Sequence, residues 1–249
     1  MSGRTINLNA DLGEECGDDA AMLDVVSAAN IACGAHAGSP EVMAATVHAA
    51  LTRGISIGAH PSYPDREGFG RRPMGLPAAE IERVTAEQIR LLTDIAAFEG
   101  GRIGHVKPHG ALSNRAAIDG EAASAIVQAM LQVDSSLILL APAGSVLVDV
   151  GRKAGLRVIE EVFADRAYDD DGNLVPRSRP GAMIHDPEEA ARHVLRMAAD
   201  GVIRTISGRL IPCRAQSICV HGDDAGAVSL ARRVRVALEQ ARIAIIPLA

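Results

Sequence analysis

The chain has 249 residues and is 48% hydrophobic, yet its aromatic side chains are limited to Tyr63, Tyr168, Phe69, Phe98 and Phe163, with no Trp. Such a length suits one large α/β domain or two small ones, built on an aliphatic core. A net charge of −6, with no long basic run and few aromatic platforms, argues against nucleic acid as a partner.

Residues 5–11 (TINLNAD) alternate, with Ile6, Leu8 and Ala10 on one face and Asn7, Asn9 and Asp11 on the other. That period marks a strand. A second strand is expected over 29–36 (ANIACGAH), ending in a Gly-rich turn. Ser39-Pro40-Glu41 then opens a helix, with Ser as N-cap and Pro in the first turn, that runs to about Arg53 and stops at Gly54. Residues 55–60 (ISIGAH) form the third strand. Pro61 breaks it into a loop carrying Asp65, Arg66, Glu67, Arg71 and Arg72, with Phe69 between Gly68 and Gly70.

Ile81, Val84, Ile89, Leu92 and Ile95 recur at helical spacing, so a helix is predicted over 77–99, ended by Gly100-Gly101. Then come a strand at 102–110, a helix at 119–132, a buried strand at 137–144, a helix at 145–154 and a strand at 157–165. A polar excursion over 166–184 contains Asp171-Gly172, a tight-turn signal. A helix over 187–199 precedes a hairpin turning at Ser207-Gly208. A strand at 217–223, a helix at 225–240 and a terminal strand or tail at 243–248 complete the pattern. No linker-like stretch interrupts it, which implies a single domain over 1–249.

The most apolar run, from Leu137, is broken by Pro and Gly and falls short of the ~20 residues that span a bilayer. No charged-then-apolar leader is visible. Cys16, Cys33, Cys213 and Cys219 lack C-x-x-C spacing and read as free thiols. A soluble cytoplasmic protein, with no membrane partner, is expected.

Strands alternating with helices imply a parallel sheet wrapped by helices. An open sheet covered on both faces would be apolar on both. Here one side of the strands collects Asn7, Asn9, Asp11, Asn30, His60, His105, Lys107 and Ser217. A closed barrel accommodates such an interior when its polar groups meet one another, water, a metal or a ligand. Barrel chemistry gathers at the C-terminal ends of strands, where Asp11, His36, His60, His109 and His221 all fall. These residues suit either a divalent metal site or a metal-free acid–base network, and a nearby Lys107 weighs against the metal. A structural role stays open for each histidine taken singly, and His48, His185 and His193 receive no role. Asp169–Asp171 lacks the spacing of an EF-hand, and neither a Walker loop nor a G-x-S-x-G elbow is present.

Seven segments run in order along nearly the whole chain: NLNADLGE (7–14), ANIACGAHAG (29–38), IGAHPSYPDREGFGRR (57–72), HVKPHGALSN (105–114), EEVFADRAY (160–168), LVPRSRPGA (174–182) and CVHGDD (219–224). Together they resemble the LamB/YcsF family, the bacterial 5-oxoprolinase A-subunit group. The chain departs from the family's usual pattern at Ala35, Ser39 and Ser113, where Phe, Asp and Tyr are more frequent. The resemblance implies an irregular seven-stranded β/α barrel, akin to the glycoside hydrolase/deacetylase barrels. It also implies ATP-dependent opening of 5-oxo-L-proline to L-glutamate, in a complex with subunits B and C.

Lactam opening through a phosphorylated intermediate needs a cation, a base and a carboxylate anchor. Residue chemistry suggests Lys107 for phosphoryl charge, Asp11 or His60 as base, and His109 as proton donor to the leaving nitrogen. Arg66 or Arg71 would clamp the substrate carboxylate, with Asn9, His36 and His221 as further substrate contacts. The loops at 63–72 and 166–180 are expected to close over one mouth of the barrel. The alternatives are a stand-alone divalent-metal hydrolase and a non-catalytic binding subunit.

Overall fold

Inward polar and outward aliphatic residues alternate along the strands, and in the computed structural model they sort onto the two sides of a closed sheet. The structure describes residues 4–222 and 226–248. In chain order the elements are β1 (Thr5–Leu12), α1 (Asp19–Leu23), β2 (Ala28–Ala32), α2 (Pro40–Leu51), β3 (Ser56–His60) and α3 (Ala78–Phe98). They continue as β4 (His105–Val106), α4 (Gly110–Ala116), α5 (Gly120–Val133), β5 (Ile138–Pro142), α6 (Val146–Lys153) and β6 (Val158–Phe163). Then follow α7 (Pro187–Leu195), β7 (Val202–Arg204), β8 (Leu210–Pro212), β9 (Ser217–Val220), α8 (Ala227–Gln240) and β10 (Ala244–Ile245).

Among the described residues, β1 to β6 and β9 pair in parallel, and β9 returns to β1 (Asn7↔Ser217) to close a seven-stranded barrel. β10 adds beside the start of β1 (Thr5↔Ala244), while β7 and β8 form a separate antiparallel hairpin. Helix starts follow local chemistry. Ser39 Oγ accepts from the Val42 amide ahead of Pro40, Asp119 accepts from Glu121 and Ala122, and Asp186 accepts from Glu188 ahead of Pro187. Along α3, Ile81, Ile89, Leu92 and Ala96 are fully buried, while Arg83 pairs with Glu80 and Glu87 on the outer face.

Several expected strands are shorter in the structure. β2 ends at Ala32, and the residues after it turn through Gly34 and Gly38 at positive φ, so His36 stands on a turn rather than at a strand end. The strand expected at 102–110 shrinks to His105–Val106, because Pro108 lacks a donor and His109 already caps α4. The 187–199 helix closes in a π-helical turn, Arg196–Asp200, ahead of Gly201 at φ 70°. Two short helices, α1 and nearly all of α4, fall between the elements expected from the sequence. The expected start of the last helix at Ala225 and the Asp223-Asp224 end of the CVHGDD segment lie outside the described residues.

The excursion after β6 folds back on itself through bridges Arg166↔Met183 and Tyr168↔Leu174. Its tip is a turn in which the Gly172 amide donates to the Asp169 carbonyl at 3.1 Å, as Asp171-Gly172 predicts. Asp170 accepts from Thr205 and Ser207, both at 2.6 Å, tying that tip to the β7–β8 hairpin.

At the N-terminal end of the barrel the chain tail acts as a floor. Asn7 Nδ2 and Ser27 Oγ donate to the Ile246 carbonyl, and Ser56 Oγ donates to that of Leu248 at 2.8 Å. Higher up, Asp11, Asn30, Gly58 and His105 are consecutive partners across β1 to β4. Gly58 is required there, because a Cβ would collide with the His105 ring.

The buried histidines make stability pH-dependent. Burial pushes His105 down to about 3 and His193 down to about 4, and it also lowers His36 and His109. The unfolded chain, with histidines near ~6.5, therefore binds more protons than the folded one below that pH. This contribution is complete above about 6.5 and is lost as pH falls toward 4, by up to ~1.4 kcal/mol per pH unit per histidine. Glu161 and Asp19, both raised by burial, act in the opposite sense but are two groups against four. Urea unfolding between about pH 7.5 and 4.5 should show a midpoint that falls steadily with pH. A flat midpoint would mean that the histidines are charged in the folded barrel.

Candidate active site

The charged centre of the barrel is Lys107, buried just beyond β4. Its ammonium donates to Asp11 Oδ1 at 2.8 Å and to Cys219 Sγ at 3.0 Å, and lies 3.3 Å from Glu161 Oε1. Burial alone would lower Lys107, but Asp11, Cys219 and Glu161 hold it well above its ordinary value. Burial alone would likewise raise Asp11, but its contact with His60 and the charge of Lys107 together hold it well below the usual carboxylate range. Amides complete the set. Asn9 donates to Glu161 Oε1 at 2.8 Å, Asn30 donates to Asn9 Oδ1 at 2.7 Å and to Asp11 Oδ1 at 2.9 Å, and His105 Nε2 donates to Asn30 Oδ1 at 2.8 Å.

A second group of side chains lies on the far side of Asp11, whose Oδ2 is 3.3 Å from His60 Nε2. His60 Nδ1 faces the Lys107 carbonyl at 2.7 Å and His109 Nε2 faces the Phe69 carbonyl at 2.9 Å. A carbonyl only accepts, so both of these nitrogens carry hydrogen. The other two nitrogens, His60 Nε2 and His109 Nδ1, then point at each other across 2.9 Å. Glu14 Oε1 is 3.1 Å from His36 Nε2, 3.5 Å from His109 Nδ1 and 3.9 Å from His60 Nε2. His36 stacks on His109 with ring centroids 3.9 Å apart. Glu14, His36, His60 and His109 are all buried and together could hold a metal ion.

Above these groups opens a cavity of about 1350 Å³, lined by Asp11, His60, Arg71, Lys107, His109 and His221 among others. Six of the nine residues singled out from the sequence thus share one wall. His221 Nδ1 is held by Asp165 Oδ2 at 2.8 Å. Asn9 is wholly buried and spent on the Lys107 network, and His36 is buried beside Glu14, so neither lines the cavity. Arg66 is not brought to it either. It donates to the Gly34 and Gly38 carbonyls and pairs with Glu15 at 3.1 Å, with its side chain more than half exposed.

Both expected loops border this mouth, through Arg71 on one side and Arg166, Tyr168 and Arg177 on the other. Sequence reasoning passed over Glu14, Glu161 and Arg166. Glu161 carried a signal, because it shares strand parity with Phe163 and Asp165 on the inward face. Glu14 carried none beyond its motif, since Gly13 at φ 69° breaks the parity of β1 before it. Arg166 is buried, lowered to about 10 by burial and by the neighbouring Arg177, and its Nε has no partner among the described residues.

Comparison with known proteins agrees with this architecture. The 5-oxoprolinase A subunit of Rhodopseudomonas palustris is 51% identical over 98% of both chains. A crystal structure of a lactam utilization protein from Thermus thermophilus superposes with a TM-score of 0.92 at 43% identity, covering 98% of this chain and 100% of that one. The catalytic domain of a peptidoglycan N-acetylglucosamine deacetylase from Eubacterium rectale shares the fold alone, with a TM-score of 0.55 at 12% identity over 100% of this chain and 90% of that one. The LamB/YcsF family model matches residues 6–249, and the chain belongs to that family.

Proposed function

We propose that this chain is the A subunit of an ATP-dependent 5-oxoprolinase, which opens the 5-oxo-L-proline lactam to L-glutamate together with subunits B and C. The observation that carries the reading is a buried ammonium, Lys107, held between Asp11 and Glu161 on the wall of a cavity that also presents Arg71. The naming of the 51% identical relative as a 5-oxoprolinase component supports it.

A lactam is a stable amide, so its carbonyl carbon must first be made electrophilic. Transfer of the ATP γ-phosphoryl group to the lactam oxygen does this and releases ADP. Water then adds to the ring carbon, the carbon–nitrogen bond breaks to leave an acyl phosphate and a free amine, and a second water releases phosphate and completes glutamate. The negative charge on the lactam oxygen and its phosphoryl group calls for a fixed cation, and Lys107 is the one that the Asp11–Glu161 pair keeps protonated in a dry site. Arg71 anchors the substrate carboxylate from the cavity rim. Asp11 is the acceptor for the attacking water. His60 and His109 are less suited to proton transfer, because both ring nitrogens of each are already engaged. A divalent cation held by the histidines and Glu14 would supply electrostatic stabilisation near the reacting oxygen when bound.

Asp11→Asn is close to isosteric and removes the charge that receives the water proton. Ring opening by the assembled complex should fall by ~10²-fold or more, with the thermal unfolding transition retained. Near-normal turnover would make Asp11 a structural acceptor only. Lys107→Met should raise the barrier by roughly 2–4 kcal/mol, as for loss of one preorganised donor, and should affect kcat more than KM. The same change strands two buried carboxylates and should cost ~3–5 kcal/mol of stability, so turnover is read per folded molecule. Equal losses in kcat and kcat/KM relative to wild type, against a KM that rises alone, separate transition-state stabilisation from substrate anchoring. Product glutamate formed only when all three subunits and ATP are present would support the complex. Turnover by this chain alone without ATP would sink the reading.

A further inference from the structure

We propose that Glu14, His36, His60 and His109 are the ligands of one divalent transition-metal ion of the zinc class, bound beside the cavity wall. This stands on side-chain geometry and holds whether or not the chain opens a lactam.

The ligand atoms of the four side chains all lie within 4.8 Å of one another. Four of their separations are 2.9, 3.1, 3.5 and 3.9 Å. These bracket the ~3.3 Å edge of a tetrahedron whose corners lie ~2.0–2.1 Å from its centre, the distance of zinc to imidazole nitrogen and carboxylate oxygen. Three imidazoles with one carboxylate select zinc-like ions over magnesium or calcium, which prefer all-oxygen shells.

His60 and His109 each give one ring N–H to a backbone carbonyl, of Lys107 and Phe69 respectively. That bond fixes the ring and leaves the opposite nitrogen as a lone pair, the usual outer-shell arrangement of a metal-binding histidine. The two lone pairs face each other at 2.9 Å with the Glu14 carboxylate beside them. Lone pairs in that position need a positive centre among them. His36 Nδ1 has no partner among the described residues, and the ring is oriented instead by stacking on His109, nearly parallel at 6°.

Asp11, Cys219 and His221 form the other group of candidate ligands among the described residues. Asp11 and Cys219 already hold the Lys107 ammonium, so a second cation there would face direct repulsion. The Glu14–histidine group avoids this, because Asp11 stands between it and that ammonium, one carboxylate oxygen toward each. The loops that carry Glu14 and Phe69 place these residues through positive φ at Gly13 and at Phe69 itself, a conformation costly for a phenylalanine and consistent with a position held for its carbonyl.

The test uses the full chain, stripped with a chelator, desalted, and titrated with Zn²⁺ against a chromophoric competitor. One equivalent should bind and survive a second desalting. Glu14→Gln and His36→Gln should each weaken binding at least ~10-fold, whereas His48→Gln, on the exposed face of α2, should leave it unchanged. X-ray absorption of the zinc-loaded wild type needs no variant and should show three imidazoles and one oxygen at ~2.0–2.2 Å. No retained zinc, an oxygen-only shell, or binding lost in His48→Gln but kept in Glu14→Gln would overturn the assignment.

Discussion

The barrel depends on one buried ion set. Lys107 sits out of water, and a charge so placed is tolerable only when opposite charges and hydrogen bonds surround it. Asp11 and Glu161 meet it from β1 and β6, the two strands that flank β9, and Asn9 and Asn30 fasten those carboxylates in turn. Each member therefore has a partner on another strand. The register of β1 against β2 and β9 is the one that brings these atoms together, and a slip of one residue would turn Asn9 and Asp11 outward against the helices. The polar interior is thus a specification of the fold as much as a site for chemistry.

From this set a second consequence follows. Asp11 faces Lys107 with one oxygen and His60 with the other, so it separates a cation-holding region from a cluster rich in lone pairs. The two halves differ in what they attract. Lys107 with Arg71 favours negative charge, and the Glu14–histidine cluster favours positive charge. His60 and His109 bring the second half to the same cavity that Lys107 and Arg71 line, so the two kinds of charge meet there.

Much of this was legible in the sequence where period and chemistry coincide. TINLNAD states its inward face outright, and His60, Lys107, His109 and His221 lie on or just beyond strands whose ends converge on the mouth. Strand-helix alternation with a polar face pointed to the closed barrel. Other features were not legible because they depend on contacts distant in sequence. Arg66 and Arg71 look alike in the loop, yet Arg66 turns outward to Glu15 while Arg71 lines the cavity. Asn9 reads as a ligand contact but is consumed by Glu161 and Ser217, which lie 152 and 208 residues away. Glu14 falls past the glycine where strand parity lapses, so no periodicity argument reaches it.

The closing strand pairing sets a timetable for synthesis. β1 leaves the ribosome before the other strands of the barrel, but its partner β9 and the floor provided by Ile246 and Leu248 follow only after all the intervening strands. Until residues 217–220 emerge, the sheet has an open edge and Asn7 and Asn9 wait for Ser217 and the late strands. Pairings this far apart raise contact order and slow folding. A nascent chain in that condition displays an unpaired strand and a polar face that nothing yet covers, which is the state in which a ribosome-bound chaperone would find the most to hold.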